Sequence, residues 1–250
     1  MNLTYLEIDY SRSTYDAMPE TMRQAFLHKL LISWLYHEHA LEGVVLSEED
    51  IDRALTNKPC RNYCDGRTQR SQQMLHGAIL SLLHGPRDAG QSVDMEWLKQ
   101  LHVDMSCPDS EQAGRYRKRD SSPGVYNLDV VPHASISYYL RKFMVMYNEQ
   151  LVHMHPVRAA ALAHWEFMKV FPFDERTGLV GRLMLNYILI SNDYPPAIIH
   201  ANDRHVYFSA LASHPNDLVP LIVDSIKATI GAAEQFSQSY FLSRPQHVAL

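Results

Sequence analysis

The feature that most constrains this chain is a polar eight-residue break, Phe171 to Gly178 (FPFDERTG), set between two apolar helical runs. Before it, Ala163, Phe167 and Val170 recur on one helical face; after it, Leu183, Leu185, Ile188 and Leu189 supply another. Pro172 lacks an N–H and pushes Phe171 out of the α region, while Thr177 and Gly178 suit re-entry into a helix over Leu179 to Ile190. The stretch reads as a buried helix, a tight polar loop and a second buried helix. The second helix then opens with unpaired N–H groups and the positive end of its dipole, which together form an anion site.

The break resembles the signature of the Fic family, whose fold is called Fido. That motif reads His-Pro-Phe-x-Asp/Glu-Gly-Asn-Gly-Arg-x-x-Arg. In the same register, Pro172, Phe173, Glu175, Gly178 and Arg182 agree. Four positions depart: the histidine is Phe171, the first glycine Arg176, the asparagine Thr177 and the first arginine Leu179. Further segments resemble family features in the right order. Gly114 to Arg117 (GRYR) is similar to the opening of the target-registering flap, and His155 to His164 to the helix leading into the motif. The DYPPAII segment and Arg204 to Tyr207 are similar to the family's features after the motif.

The resemblance implies a mainly helical, all-α fold with a short β-hairpin flap over the turn-rich stretch after Gly114. Residues 1–34 are expected to form an N-terminal segment and helix, 35–236 the Fic domain with an inhibitory-like helix, and 237–250 a tail. The periodicity independently predicts helices near Glu20 to Ala40, Met74 to His84, Tyr138 to Val152, His155 to Val170, Val206 to Ser213 and Leu218 to Phe236. Gly43 stops the first of these, and Ser47 with Asp50 caps the next in capping-box fashion.

In the family, a target hydroxyl attacks the α-phosphate of ATP, the motif histidine takes its proton, and the acidic residue holds Mg²⁺. The resemblance therefore places Mg²⁺ at Glu175 and the nucleotide or another anion at Arg176, Thr177, Gly178, Gly181 and Arg182. It matches Glu42 to an inhibitory glutamate that pairs with the last arginine and blocks nucleotide binding; Glu38 stands where that helix carries Ser or Thr. Arg115, Arg117, Lys118 and Arg119 are the densest positive cluster and fall in the flap. There they mark a surface for an acidic or phosphate-bearing protein target, or simply a solvated face. A homodimer is a further expected form.

Phe171 accepts no proton at any pH, and general-base catalysis is worth about 10²–10⁴ in rate. Three readings result: a pseudoenzyme or regulatory binding module with a residual anion site; a Fido-fold enzyme with altered group-transfer chemistry; and an adenylyltransferase using a substitute base. A net charge of −5 excludes general nucleic-acid binding, and no apolar run approaches a membrane span. With no secretory pattern at the start and three cysteines (Cys60, Cys64 and Cys107) that make no disulfide framework, a cytoplasmic protein is expected. The His37–Glu42 stretch has some metal-ligand spacing but no identifiable third ligand.

Overall fold

The structure, a computed structural model, describes Ile8, residues 18–56, Lys58, residues 66–84, 93–107 and 110–243. Over these residues the chain forms helices α1 (Glu20–Leu41), α2 (Glu48–Leu55), α3 (Gly66–His84), α4 (Met95–Met105) and α5 (Ile136–Glu149). Then come α6 (Pro156–Val170), α7 (Thr177–Ser191), α8 (Arg204–Ala212) and α9 (Pro215–Ser243). Single 3₁₀ turns precede α5, α6 and α8. Among the described residues there is no strand.

Helices α6 and α7 pack against each other at the centre, with α9 and α5 on α6, and α3 and α4 on α7. Only Tyr187 and Ser191 of α7 escape burial, because its sequence is apolar around nearly the whole circumference. Gly181 explains the close approach to α6: a Cβ there would stand 2.9 Å from the His164 ring and 3.2 Å from Phe167. Beyond α7, Asn186 pins the returning chain, accepting from the Ala197 N–H at 2.7 Å and donating to the Ala197 carbonyl at 3.2 Å.

Local signals act as the sequence indicates. Gly43 follows α1 at φ 86°, and Ser47 accepts from the Asp50 N–H at 3.1 Å while its hydroxyl donates to the Asp50 carboxylate at 2.7 Å. Pro156 opens α6 behind His155, whose Nδ1 accepts from the Val157 N–H. Helix α3 begins well before Met74 and α9 extends past Phe236. Helix α1 runs through the expected division at residues 34 and 35, and α9 through that at 236 and 237. Cys60 and Cys64 lie outside the described residues.

Among the described residues the expected β-hairpin is not shown. From Ser110 to Val131 the chain is a run of turns and irregular backbone, with local turn bonds such as those from the Ala113, Arg115 and Tyr126 N–H groups and two longer bonds to the end of α6 and the motif loop. The Arg117 N–H bonds the Pro172 carbonyl at 2.9 Å, and the Val131 N–H bonds the Lys169 carbonyl at 3.1 Å. Asp120, midway along the segment, accepts from the His133 N–H at 2.7 Å and meets its Nδ1 at 2.9 Å, tying the segment to the turn before α5.

Arg117 is the brace of this region. Only 3% exposed, it donates to the carbonyls of Phe171 at 2.8 Å, Arg119 at 2.9 Å, Val170 at 3.4 Å and Val131. The guanidinium thus satisfies the C-terminal carbonyls of α6 and sews the flap segment to it. Of the four cationic residues assigned to target contact, Arg117 is therefore internal, while Arg115, Lys118 and Arg119 remain exposed. Arg117→Ala strands several buried carbonyls and is expected to cost about 3 kcal/mol or more in urea denaturation. Arg115→Ala and Lys118→Ala should stay within about 0.5 kcal/mol of the parent.

Candidate functional site

The motif loop is framed by two residues in the left-handed region. Phe171 ends α6 at φ 45° and Arg176 precedes α7 at φ 62°. At the second position a glycine is unstrained, whereas an arginine held there costs about 1–2 kcal/mol. Between them, Thr177 closes the loop on itself: its hydroxyl accepts from the Phe173 N–H at 3.1 Å and donates to the Phe173 carbonyl at 3.0 Å. His102 of α4 braces the outer side. Its ring stacks on Phe173 at 4.0 Å, its Nε2 donates to the Glu175 carbonyl at 3.2 Å, and its Nδ1 accepts from the Gly114 N–H at 2.9 Å. These bonds fix the tautomer and link loop to flap segment.

On the inner side lies Arg182, 1% exposed, in the second turn of α7. Its Nε donates to Glu38 at 2.6 Å and its Nη2 to Glu42 at 2.8 Å, so two carboxylates one turn apart on α1 grip one guanidinium. Nη1 donates to the hydroxyls of Tyr126 at 3.1 Å and Tyr207 at 3.4 Å. Tyr126 in turn donates to Glu42, and the Tyr207 hydroxyl meets His164 Nε2 at 2.8 Å. Burial disfavours the charge on Arg182, yet the summed pull of Glu38, the two tyrosines and Glu42 holds its pKa well above the usual value. Burial raises Glu38 against the opposing pull of Arg182.

The same cluster covers the opening turn of α7. A Cβ at Gly178 would stand 1.7 Å from the Tyr126 hydroxyl and 2.6 Å from a Glu42 oxygen. A phosphate chain does not fit there in this arrangement, since the space is filled and a carboxylate supplies the negative charge. Glu175 is exposed and neighbours the exposed Asp174. One or two such carboxylates suit Mg²⁺ only in company with substrate phosphates. No group of three potential metal ligands occurs among the described residues.

The site residues expected from sequence thus divide. Glu42 and Arg182 meet as the pairing requires, and Gly178 lies beneath them. Thr177 is spent on its own loop, Gly181 on helix packing and Leu179 on the core. Arg176 turns away toward α3, donating to the Ser71 hydroxyl at 3.1 Å. Phe171 is buried at 7% exposure with its ring edge-on to Tyr126. The residues that sequence reasoning did not single out are His102 and Tyr126, and it gave neither His39, Tyr207 nor Glu38 a place in the Arg182 cluster. His39 is buried beside them, and its Nε2 has no protein partner.

A helical hairpin with an anion-type loop, an arginine held by a preceding helix and a flap segment sewn to the loop define a Fido-fold domain. Residues 92–189 match the family model described as Fic/DOC family. The protein adenylyltransferase Fic of Culex quinquefasciatus is 39% identical over 204 residues, 76% of this chain and 38% of that protein. The adenylyltransferase Fic of Nematostella vectensis is 37% identical over 118 residues, 44% of this chain and 26% of that one. The chain thus spans well under half the length of these relatives. Among solved structures, a Fic domain containing signaling protein from Bacteroides thetaiotaomicron superposes with a TM-score of 0.80 at 16% identity, covering 93% of this chain and 97% of that one. Fic-1 of C. elegans gives 0.79 at 20% identity, over 96% and 73%. These two establish the shared fold. The chain carries a Fic/DOC family domain over residues 92–189.

The geometry sets two expected outcomes. Arg182→Leu strands two buried or half-buried carboxylates and is expected to lower stability by about 3–5 kcal/mol in chemical denaturation. The histidines set a pH dependence. Burial, reinforced by Arg176, lowers His39 to about 4; burial lowers His102 to about 4; burial and Arg182 lower His164 to about 3. Unfolded imidazoles titrate near 6.5, so the unfolded chain binds more protons below that pH. Stability is expected to be intact at neutral pH and lost as pH falls from about 6.5 to about 4. Thermal melts across that window should show it, with a shallower slope in His102→Gln.

Proposed function

We propose that this chain is a pseudoenzyme or regulatory binding module that does not carry out the AMP transfer named for its relatives. The observation that carries the reading is the double grip on Arg182. An arginine bonded to both Glu38 and Glu42, with Tyr126 and Glu42 over Gly178, is withheld from phosphate by its own chain. Phe171 supports the reading from the other end of the loop, since its buried ring offers no proton acceptor. A single inhibitory pair releases its arginine when the glutamate is removed. Here Glu38 continues to hold Arg182, because it reaches the Nε from the turn before.

When bound, ATP with Mg²⁺ would supply a nucleotidyl group at an electrophilic phosphorus; Glu175 would hold the ion, and Arg182 would hold phosphate. The chain's own groups oppose that state. Glu42 supplies repulsion, Tyr126 fills space, and Phe171 leaves a hydroxyl nucleophile without a base. A cytoplasmic location and a protein partner at the exposed Arg115, Lys118 and Arg119 belong to the same proposal, the partner being acidic or phosphate-bearing.

The test is calorimetry with ATP and Mg²⁺, together with transfer of label from α-labelled ATP to protein. The parent, Glu42→Gly and Phe171→His are each expected to show neither tight binding nor transfer. Glu38→Gln combined with Glu42→Gly frees Arg182 and is expected to recover binding, and adding Phe171→His to recover transfer. Transfer by the parent as fast as by that triple variant would sink the proposal.

A further inference from the structure

Helix α5 packs on α6 and buries Ile136, Leu140, Phe143 and Met144 in the core. Its opposite face is open but not wholly polar. Tyr138 and Val145, seven residues apart and so nearly in line on the helix, are each more than half exposed. Val152, seven residues further on in the 3₁₀ turn Leu151–His153, is equally open. Tyr139 widens the strip, its ring edge-on to Tyr138 at 5.3 Å. Single exposed apolar side chains are ordinary on a protein surface, whereas a row of them marks a surface that another molecule covers.

The charges on this face select the occupant. Arg141 and Lys142 stand between Tyr138 and Val145, and Glu149 between Val145 and Val152. All three are exposed, and none forms an ion pair among the described residues. The pattern is self-complementary about Val145: an apolar residue lies seven positions to either side, a base four positions before and an acid four positions after. A second α5 laid antiparallel on a two-fold axis through Val145 therefore meets its own complement. Val145 faces Val145 and Tyr138 faces Val152. Glu149 of each copy comes opposite Arg141 of the other, with Lys142 one residue's rise, about 1.5 Å, away. A parallel pair would set like charges against each other, and a uniformly acidic partner would be repelled by Glu149.

We infer that the outer face of α5 is a homodimer interface, on which two copies of this chain pair antiparallel about Val145. The pair is isologous and closes on itself. One helix face buries less than the roughly 800 Å² per partner of a standard interface, so the dimer is a weak one with a micromolar dissociation constant. No residue of the motif loop or of the Arg182 cluster belongs to this face, so the pairing stands or falls independently of the proposed function.

Sedimentation velocity of the full chain over a concentration series is the test. Val145→Glu sets two like charges on the axis, and Glu149→Lys turns the ion pairs into repulsions. A third variant, Arg141→Glu with Lys142→Glu and Glu149→Lys, exchanges every charge and keeps the complementarity. All these positions are exposed, and thermal melts check that each variant folds. The parent is expected to dimerise, each of the first two variants at least about tenfold more weakly, and the charge-exchanged variant within about threefold of the parent. A parent that stays monomeric into the hundreds of micromolar overturns the inference, including one that instead sediments with anionic lipid vesicles. So does a dimer of parental strength in both Val145→Glu and Glu149→Lys, or a charge-exchanged variant no stronger than Glu149→Lys.

Discussion

The interaction on which the rest depends is the grip of Glu38 and Glu42 on Arg182. A guanidinium inside the central helix is expensive to bury unless its donors are all met, and this one is met by two carboxylates and two phenols drawn from α1, the flap segment and α8. Those elements are far apart in sequence, so the cation acts as a common anchor. It fixes the last turns of α1 against α7, brings Tyr126 in from the flap segment, and sets Tyr207 beside His164. The covering of Gly178 is a consequence of this arrangement: whatever satisfies Arg182 also stands over the first turn of α7.

A second anchor works in the same way on the other side of the loop. Arg117 meets the carbonyls at the end of α6, and its own backbone N–H meets Pro172. Together with His102, it makes the motif loop a rigid piece held from three directions. The flap segment is tied to the loop and to the end of α6 through Arg117 and Val131, and the positive cluster it carries divides into one internal brace and three exposed charges.

Sequence reading located the central helical hairpin, the caps at Gly43, Ser47 and Pro156, and the meeting of Glu42 with Arg182. It found these because helical periodicity, proline and glycine signals act within a few residues, and because the motif register names the arginine's partner. It did not foresee that Arg117 would bond the end of α6, Arg176 the Ser71 hydroxyl and Thr177 its own loop. Nothing local distinguishes an arginine that braces four carbonyls from one on a solvated loop, and a threonine near a helix start bonds a phosphate or its own loop with equal chemical ease. His102 went unread since a histidine on a half-apolar helix is an ordinary core residue, and Tyr126 since nothing local in a turn-rich segment marks a tyrosine that reaches back to a distant helix.

The sequence by itself determined that two apolar helices flank a loop with no histidine at its first position. Those outcomes rest on backbone sterics and on the hydrophobic pattern, both written along the chain. The tertiary structure alone decided what became of the polar groups: that Glu38 joins Glu42, that Tyr126 fills the space over Gly178, and that Arg176 turns toward Ser71. Desolvated charges are satisfied by whichever partners the packed helices bring within about 3 Å, and that proximity exists only once the helices have docked.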